Sequence, residues 1–137
     1  EGLLKMSKYP KEKKEYKFPG LGGGIEIPLE SKNKREDFVL DIYRGKIQLA
    51  KVSFQNRARK NIILVRVDLG GSPHRNPNDE PVLCPHIHLY REGFGDKWAY
   101  PLPKEFTDYK NITKTLDDFM RFCNIEERPS IDMDLFV

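Results

Sequence analysis

The sequence predicts an α+β domain, a twisted antiparallel β-sheet of meanders and hairpins with one main C-terminal helix packed on it. Three observations carry this. Apolar residues alternate at a period of two through most of the chain from Ile25 to Tyr100. Clusters of Gly, Pro and Asn punctuate those runs. Only the stretch from Ile112 to Cys123 carries the spacing of a buried helical face.

Taken in order, residues 1–20 begin with a Lys/Glu-rich stretch and are expected to form a loosely held arm or a short helix. Gly22, Gly23 and Gly24 follow; without a GK[S/T] ending or a helix pattern after them, they read as a turn and not a phosphate cradle. Ile25, Ile27 and Leu29 make a short alternating strand. Phe38, Leu40 and Ile42 make the next, and Arg44-Gly45 reads as a hairpin turn. The return strand starts at Ile47 and Leu49 and continues through Ala50, Val52 and Phe54, and its change of parity predicts a bulge or a strong twist. After the NRARK turn, Ile62 to Leu69 form the most β-branched run. Its inward set would be Ile63, Val65, Val67 and Leu69, with Ile62, Leu64, Arg66 and Asp68 on the other face.

The loop GGSPHRNPNDEPVL leads to CPHIHLYREG, a strand from which His86, His88 and Tyr90 point one way and Ile87, Leu89 and Arg91 the other. A turn at Gly93 to Asp96 and a strand from Lys97 to Leu102 complete a hairpin. In the helix, Ile112, Leu116, Phe119, Met120 and Cys123 line one face, with Thr113 the expected N-cap and Asn124 the stop. The tail IDMDLFV is expected to add an edge strand.

At 137 residues the chain is expected to be one domain spanning 1–137, large enough to bury a core without disulfides. Its 24 basic and 21 acidic side chains are too evenly mixed for a polybasic nucleic-acid or membrane surface. No apolar run reaches the roughly 20 residues that span a bilayer. Two cysteines with no secretion signal point to a reducing cytosol and not to a disulfide framework. Lys51, Arg57, Arg59 and Lys60 read as a solvated hairpin tip, since no aromatic platform interleaves them. Trp98 and Tyr100 read as sheet-packing residues, and Cys123 as an inert packing thiol.

All three histidines fall between positions 74 and 88. His86 and His88 share a strand face with Cα atoms about 6.5–7 Å apart, a gap that a zinc ion about 2.0–2.1 Å from each ring nitrogen can bridge. His74, in the loop that returns to this strand, can supply a third nitrogen. Cys84 has the same parity and can complete the set, with Asp68 as the alternative fourth ligand. Two other readings stand beside this one. The histidines can be ordinary residues of a polar sheet face. They can also be a general acid and base beside Arg66, Arg91 or Tyr90, as in a metal-independent ribonuclease.

The segments RVDLGGSPHRNP, PHIHLYREGFGDKWAYPLP and TLDDFMRFCNI, in that order, resemble a family of small bacterial and phage proteins. Its pattern is a strand ending in D-L/I-G-G, then PHxNPD, then PHIHIYREGYGD-K/R-WA, then a closing helix. The resemblance covers about residues 60 to 125 and leaves out the N-terminal 35. Such proteins resemble, or include, a zinc-binding anti-CRISPR protein that disables the RNA-guided nuclease of type II systems. The resemblance implies that His74, His86 and His88 are metal ligands; it transfers nothing to Cys84. It also implies a phage-encoded, non-enzymatic inhibitor acting in the host cytoplasm. With its charges mixed, the chain does not imitate the DNA phosphate array, so the expected contact is the helical recognition region of the nuclease, with no direct contact to nucleic acid. The competing expectations are a metal- or histidine-dependent nuclease and a regulatory module with a structural metal.

Overall fold

The computed structural model describes residues 2–47 and 51–133. After a one-turn helix, α1 (Gly2–Lys5), come β1 (Lys8–Pro10), β2 (Glu15–Lys17), β3 (Gly24–Ser31), β4 (Asp37–Arg44), β5 (Val52–Ala58) and β6 (Ile62–Asp68). They are followed by β7 (His74–Arg75), β8 (Pro81–Val82), β9 (His86–Leu89), β10 (Ala99–Pro101), α2 (Ile112–Phe122) and β11 (Ser130–Asp132). Seven strands form one antiparallel sheet in the order β1-β3-β4-β5-β6-β9-β10. The hairpin β7–β8 and the parallel pair β2–β11 are separate two-stranded elements. The expected α+β architecture is therefore present. Among the described residues, no helix is long and apolar enough to cross a membrane.

The two faces of the sheet differ because the strands alternate. Phe38, Leu40, Ile42, Val52, Phe54, Val67 and Ile87 are buried in the core cluster that also holds Leu116, Phe119, Met120 and Cys123 of the α2 segment. The ring of Phe119 lies 5.8 Å from that of Phe54. Burying side chains of this size stabilises the fold by roughly 1.5–3 kcal/mol each. The residues between them in sequence carry charge onto the opposite face. There Arg57 bridges Asp41 and Glu26, Gln55 donates to Asp41, and Ser53, Arg66, Asp68, His86 and His88 continue the row.

Several local expectations are corrected. The N-terminal segment begins with the expected short helix, Gly2–Lys5, and is not a loose arm: β1 pairs with β3, Lys8 is fully buried, and Tyr16 and Phe18 join the core. Arg44-Gly45 is not a tight hairpin turn. β4 ends at Arg44, β5 begins at its partner Val52, and Ile47 is 91% exposed. Leu49 and Ala50, where the parity change was expected, lie outside the described residues. A bulge occurs instead in β6: Asn56 faces Val65 and Arg57 faces Ile63, which leaves Leu64 as the extra residue. Leu64 and Val65 are consequently both buried, so Leu64 does not share the face of Arg66 and Asp68. The N-cap of α2 is Asn111, whose side chain accepts from the Lys114 amide, and not Thr113. Asn124, the expected stop, has φ 57°, the left-handed conformation that commonly ends a helix. The expected tail strand is β11; residues 134–137 lie outside the described residues.

Candidate metal centre

The centre is assembled where β6 and β9 pair. Asp68 lies opposite His86 and Arg66 opposite His88, with all four side chains on the face away from α2. The ligand atoms of Asp68, His86 and His88 lie within 4.8 Å of one another, close enough to hold a metal ion. Nε2 of His86 is 3.0 Å from Oδ2 of Asp68, and Nε2 of His88 is 3.3 Å from the same oxygen. Both imidazoles are buried, at 2% and 1% exposure, while Asp68 keeps one edge toward solvent.

His74, on the β7–β8 hairpin, stands beside this group and outside the three-residue set. Its ring centroid lies 4.6 Å from that of His88 and 6.1 Å from that of His86. Asn76, two residues on, fixes the hairpin to the edge of the large sheet. Its amide donates to Ala99 O (3.0 Å) and its oxygen accepts from Ala99 N (2.8 Å), imitating a strand neighbour of β10.

Hydrogen bonds assign the ring protons. Arginine can only donate, so the contact of 2.9 Å from Arg66 Nη2 makes Nε2 of His88 an acceptor. The proton of His88 is therefore on Nδ1, which donates to Asp96 O at 2.8 Å. His74 donates from Nε2 to Lys97 O at 2.7 Å, leaving the lone pair on Nδ1. His86 places Nδ1 at 3.2 Å from Val82 O and Nε2 against the Asp68 carboxylate. Each ring thus has one nitrogen tied to a backbone carbonyl. This is the outer arrangement that fixes tautomer and orientation in histidine metal sites.

Nε2 of His88 is an acceptor that converges with Oδ2 of Asp68, and with its proton on Nδ1 His86 turns a third acceptor, Nε2, to the same point. Acceptors 3.0–3.3 Å apart need a cation or a proton between them. Arg66 meets part of that need: Nη2 donates to Asp68 Oδ2 (3.1 Å) as well as to His88. Ser53 Oγ donates to the second carboxylate oxygen at 2.8 Å. Burial alone would raise the Asp68 pKa. The contacts with the His86 and His88 rings, the Arg66 charge and the Ser53 hydroxyl outweigh it and hold the carboxyl far below the ordinary 3.8. Asp68 therefore enters the centre as an anion.

Cys84, expected as a ligand from its parity, does not belong to this three-residue group. The β9 ladder begins only at His86, so strand alternation does not extend to residue 84. The Cys84 sulfur lies 3.7 Å from Nδ1 of His86, the outer nitrogen, and 3.7 Å from Ser72 O. Burial and the nearby Asp68 charge both raise its pKa, keeping it a thiol. Asp68, the alternative fourth ligand by sequence, is the residue the pairing brings in. Asn76 and Asp96 were not expected. An Asn and an Asp in turn-rich loops carry no sequence signal that distinguishes them from ordinary turn residues. Tyr90 is exposed, Arg91 stacks over Trp98 at 4.3 Å, and neither approaches the imidazoles through any hydrogen bond among the described residues.

The Asp68 side of the centre borders an open cleft of about 450 Å³, lined by residues that include Tyr43, Lys51, Ser53, Arg66, Gly71, Ser72 and Cys84.

A family model described as a family of unknown function, DUF6978, matches residues 1–125. The chain belongs to the DUF6978 family. The match runs from the first residue, so the family includes the N-terminal segment as well as the histidine motifs. No curated protein and no solved structure matches the chain.

Proposed function

We propose that this chain binds one zinc ion through Asp68, His86, His88 and His74 and acts without catalysis, by presenting a metal-braced surface to a partner protein. The observation that carries the metal reading is the orientation of the three imidazoles. Each spends one nitrogen on a backbone carbonyl, and His86 and His88 aim the other at the anionic Asp68. Nitrogen-rich sets with one carboxylate favour zinc over magnesium and calcium, which prefer oxygen. Binding there ties the 70–84 loop to the sheet, and for a site absent in the unfolded chain that binding is folding free energy.

The resemblance of RVDLGGSPHRNP and PHIHLYREGFGDKWAYPLP to a zinc-binding anti-CRISPR protein makes the RNA-guided nuclease of type II systems the proposed partner. With 24 basic against 21 acidic side chains, the chain does not imitate DNA, so the proposed contact is the helical recognition region and not the PAM-reading groove. The second reading is a metal-dependent nuclease, favoured by the open cleft that reaches Asp68 and Arg66. Elemental analysis of untagged protein should give about one zinc per chain. Size-exclusion chromatography should show co-migration with the guide-loaded nuclease, with loss of target cleavage. RNA and DNA incubated with the zinc-loaded protein should stay intact. Cleavage abolished by His88→Ala would hand the case to the second reading.

A further inference from the structure

We infer that the cleft beside Asp68 is a phosphate-binding site that metal loading switches on by displacing Arg66. The inference rests on the metal reading above. Arg66 Nη2 donates to Nε2 of His88 at 2.9 Å and to Oδ2 of Asp68 at 3.1 Å. An imidazole nitrogen has one lone pair, so a metal on His88 Nε2 and the Arg66 hydrogen bond exclude each other. The same ion on Asp68 Oδ2 repels the guanidinium from its second acceptor. Arg66 keeps its anchor to Asp68 Oδ1 through Nε (3.1 Å) and its contact to Asp96 (3.4 Å), while its Nη2 donors lose both partners. Arg66 already lines the cleft, so the cleft is where those donors turn.

The cleft is built to receive an anion once that happens. Its charged lining is Lys51 and Arg66 against Asp41 and Asp68, two of each sign, and therefore balanced without metal. Asp41 is already engaged by Arg57 (2.7 Å) and Gln55 (2.9 Å). Lys51 pairs with no carboxylate among the described residues. A divalent ion on Asp68 tips the balance to net positive. Opposite Lys51 runs the Gly70-Gly71-Ser72 turn. Gly71 has φ 116°, a conformation that favours glycine, and a Cβ there would stand 3.3 Å from Lys51 Cε, so this turn packs directly against the lysine side chain. An arginine fork, a lysine and a hydroxyl beside a metal are the recurrent partners of a phosphate group.

Titration calorimetry of inorganic phosphate tests this on stoichiometrically zinc-loaded and on metal-free protein. A second arm with a nucleoside monophosphate asks whether the phosphate is read alone or as part of a nucleotide. Zinc-loaded protein should bind phosphate at least tenfold more tightly than metal-free protein. Arg66→Met should keep its zinc by elemental analysis and lose that gain. Lys51→Met, at an exposed position, should weaken phosphate binding in the zinc-loaded form and serves if the Arg66 variant fails to fold. Equal phosphate affinity with and without zinc, or a full gain retained in both variants, overturns the switch and leaves the metal site standing. Failure of the wild-type protein to take up zinc overturns both.

Discussion

Nε2 of His88 shows how one atom can hold a site in two states. It accepts from Arg66 at 2.9 Å, and its ring is oriented by the Asp96 carbonyl at 2.8 Å. That pairing aims the Nε2 lone pair at the centre, the atom a metal would take. His86→Ala combined with His88→Ala should abolish zinc uptake, whereas Cys84→Ser should leave both the stoichiometry and the melting temperature of the loaded protein nearly unchanged. Elemental analysis and a melting curve with and without chelator measure both. Loss of zinc from the serine variant would return Cys84 to the ligand set.

Two side chains tie the β7–β8 hairpin to the sheet edge. Asn76 closes two hydrogen bonds with the backbone of Ala99 from a buried position, and His74 itself bonds to Lys97 O at 2.7 Å. Asn76→Ala leaves the Ala99 amide and carbonyl without partners, a cost of about 1–3 kcal/mol. The variant should melt at a lower temperature and bind zinc more weakly, because the loss falls on the element that carries His74. Hydrogen exchange should locate the loosening in residues 70–84. Zinc affinity unchanged both in this variant and in His74→Ala would remove His74 from the proposed ligand set.

The whole molecule is closed by a lysine that the sequence places in a polar arm. Lys8 Nζ donates to Leu4 O (2.8 Å), Met6 O (2.9 Å) and Cys123 O (2.7 Å), joining the N-terminal segment to the end of α2. Burial draws its pKa down to about 8, and the nearby Cys123 acts weakly the other way. A folded pKa below the unfolded 10.5 means that the unfolded chain holds the proton more tightly between the two values. Stability from this group therefore rises with pH from about 8 to 10.5. Lys8→Met leaves a buried carbonyl at the helix end without a donor and should cost about 1–3 kcal/mol near neutral pH. The gap between wild type and variant in denaturant melts should widen from pH 8 to 10. A gap that narrows over that range would mean that the amine is held charged by its three carbonyls.

The amino-acid order by itself determined the sheet, the single main helix and the shared face of His86 and His88, because these follow from periods of two and of about 3.6 that need no partner to be read. It also marked His74 and Asp68 as reachable ligands. Tertiary structure alone decided the rest. That Asp68 and not Cys84 falls into the close group with His86 and His88 came from the β6–β9 register, which sets Asp68 opposite His86, while Cys84 precedes the ladder. The bulge at Leu64 came from pairing with β5, and no alternation of residues within β6 announces it. Burial of Lys8 came with an acceptor, Cys123 O, that lies 115 residues away in the chain, beyond the reach of any local pattern. Periodicity reports which side a residue faces; only the packed chain reports what it faces.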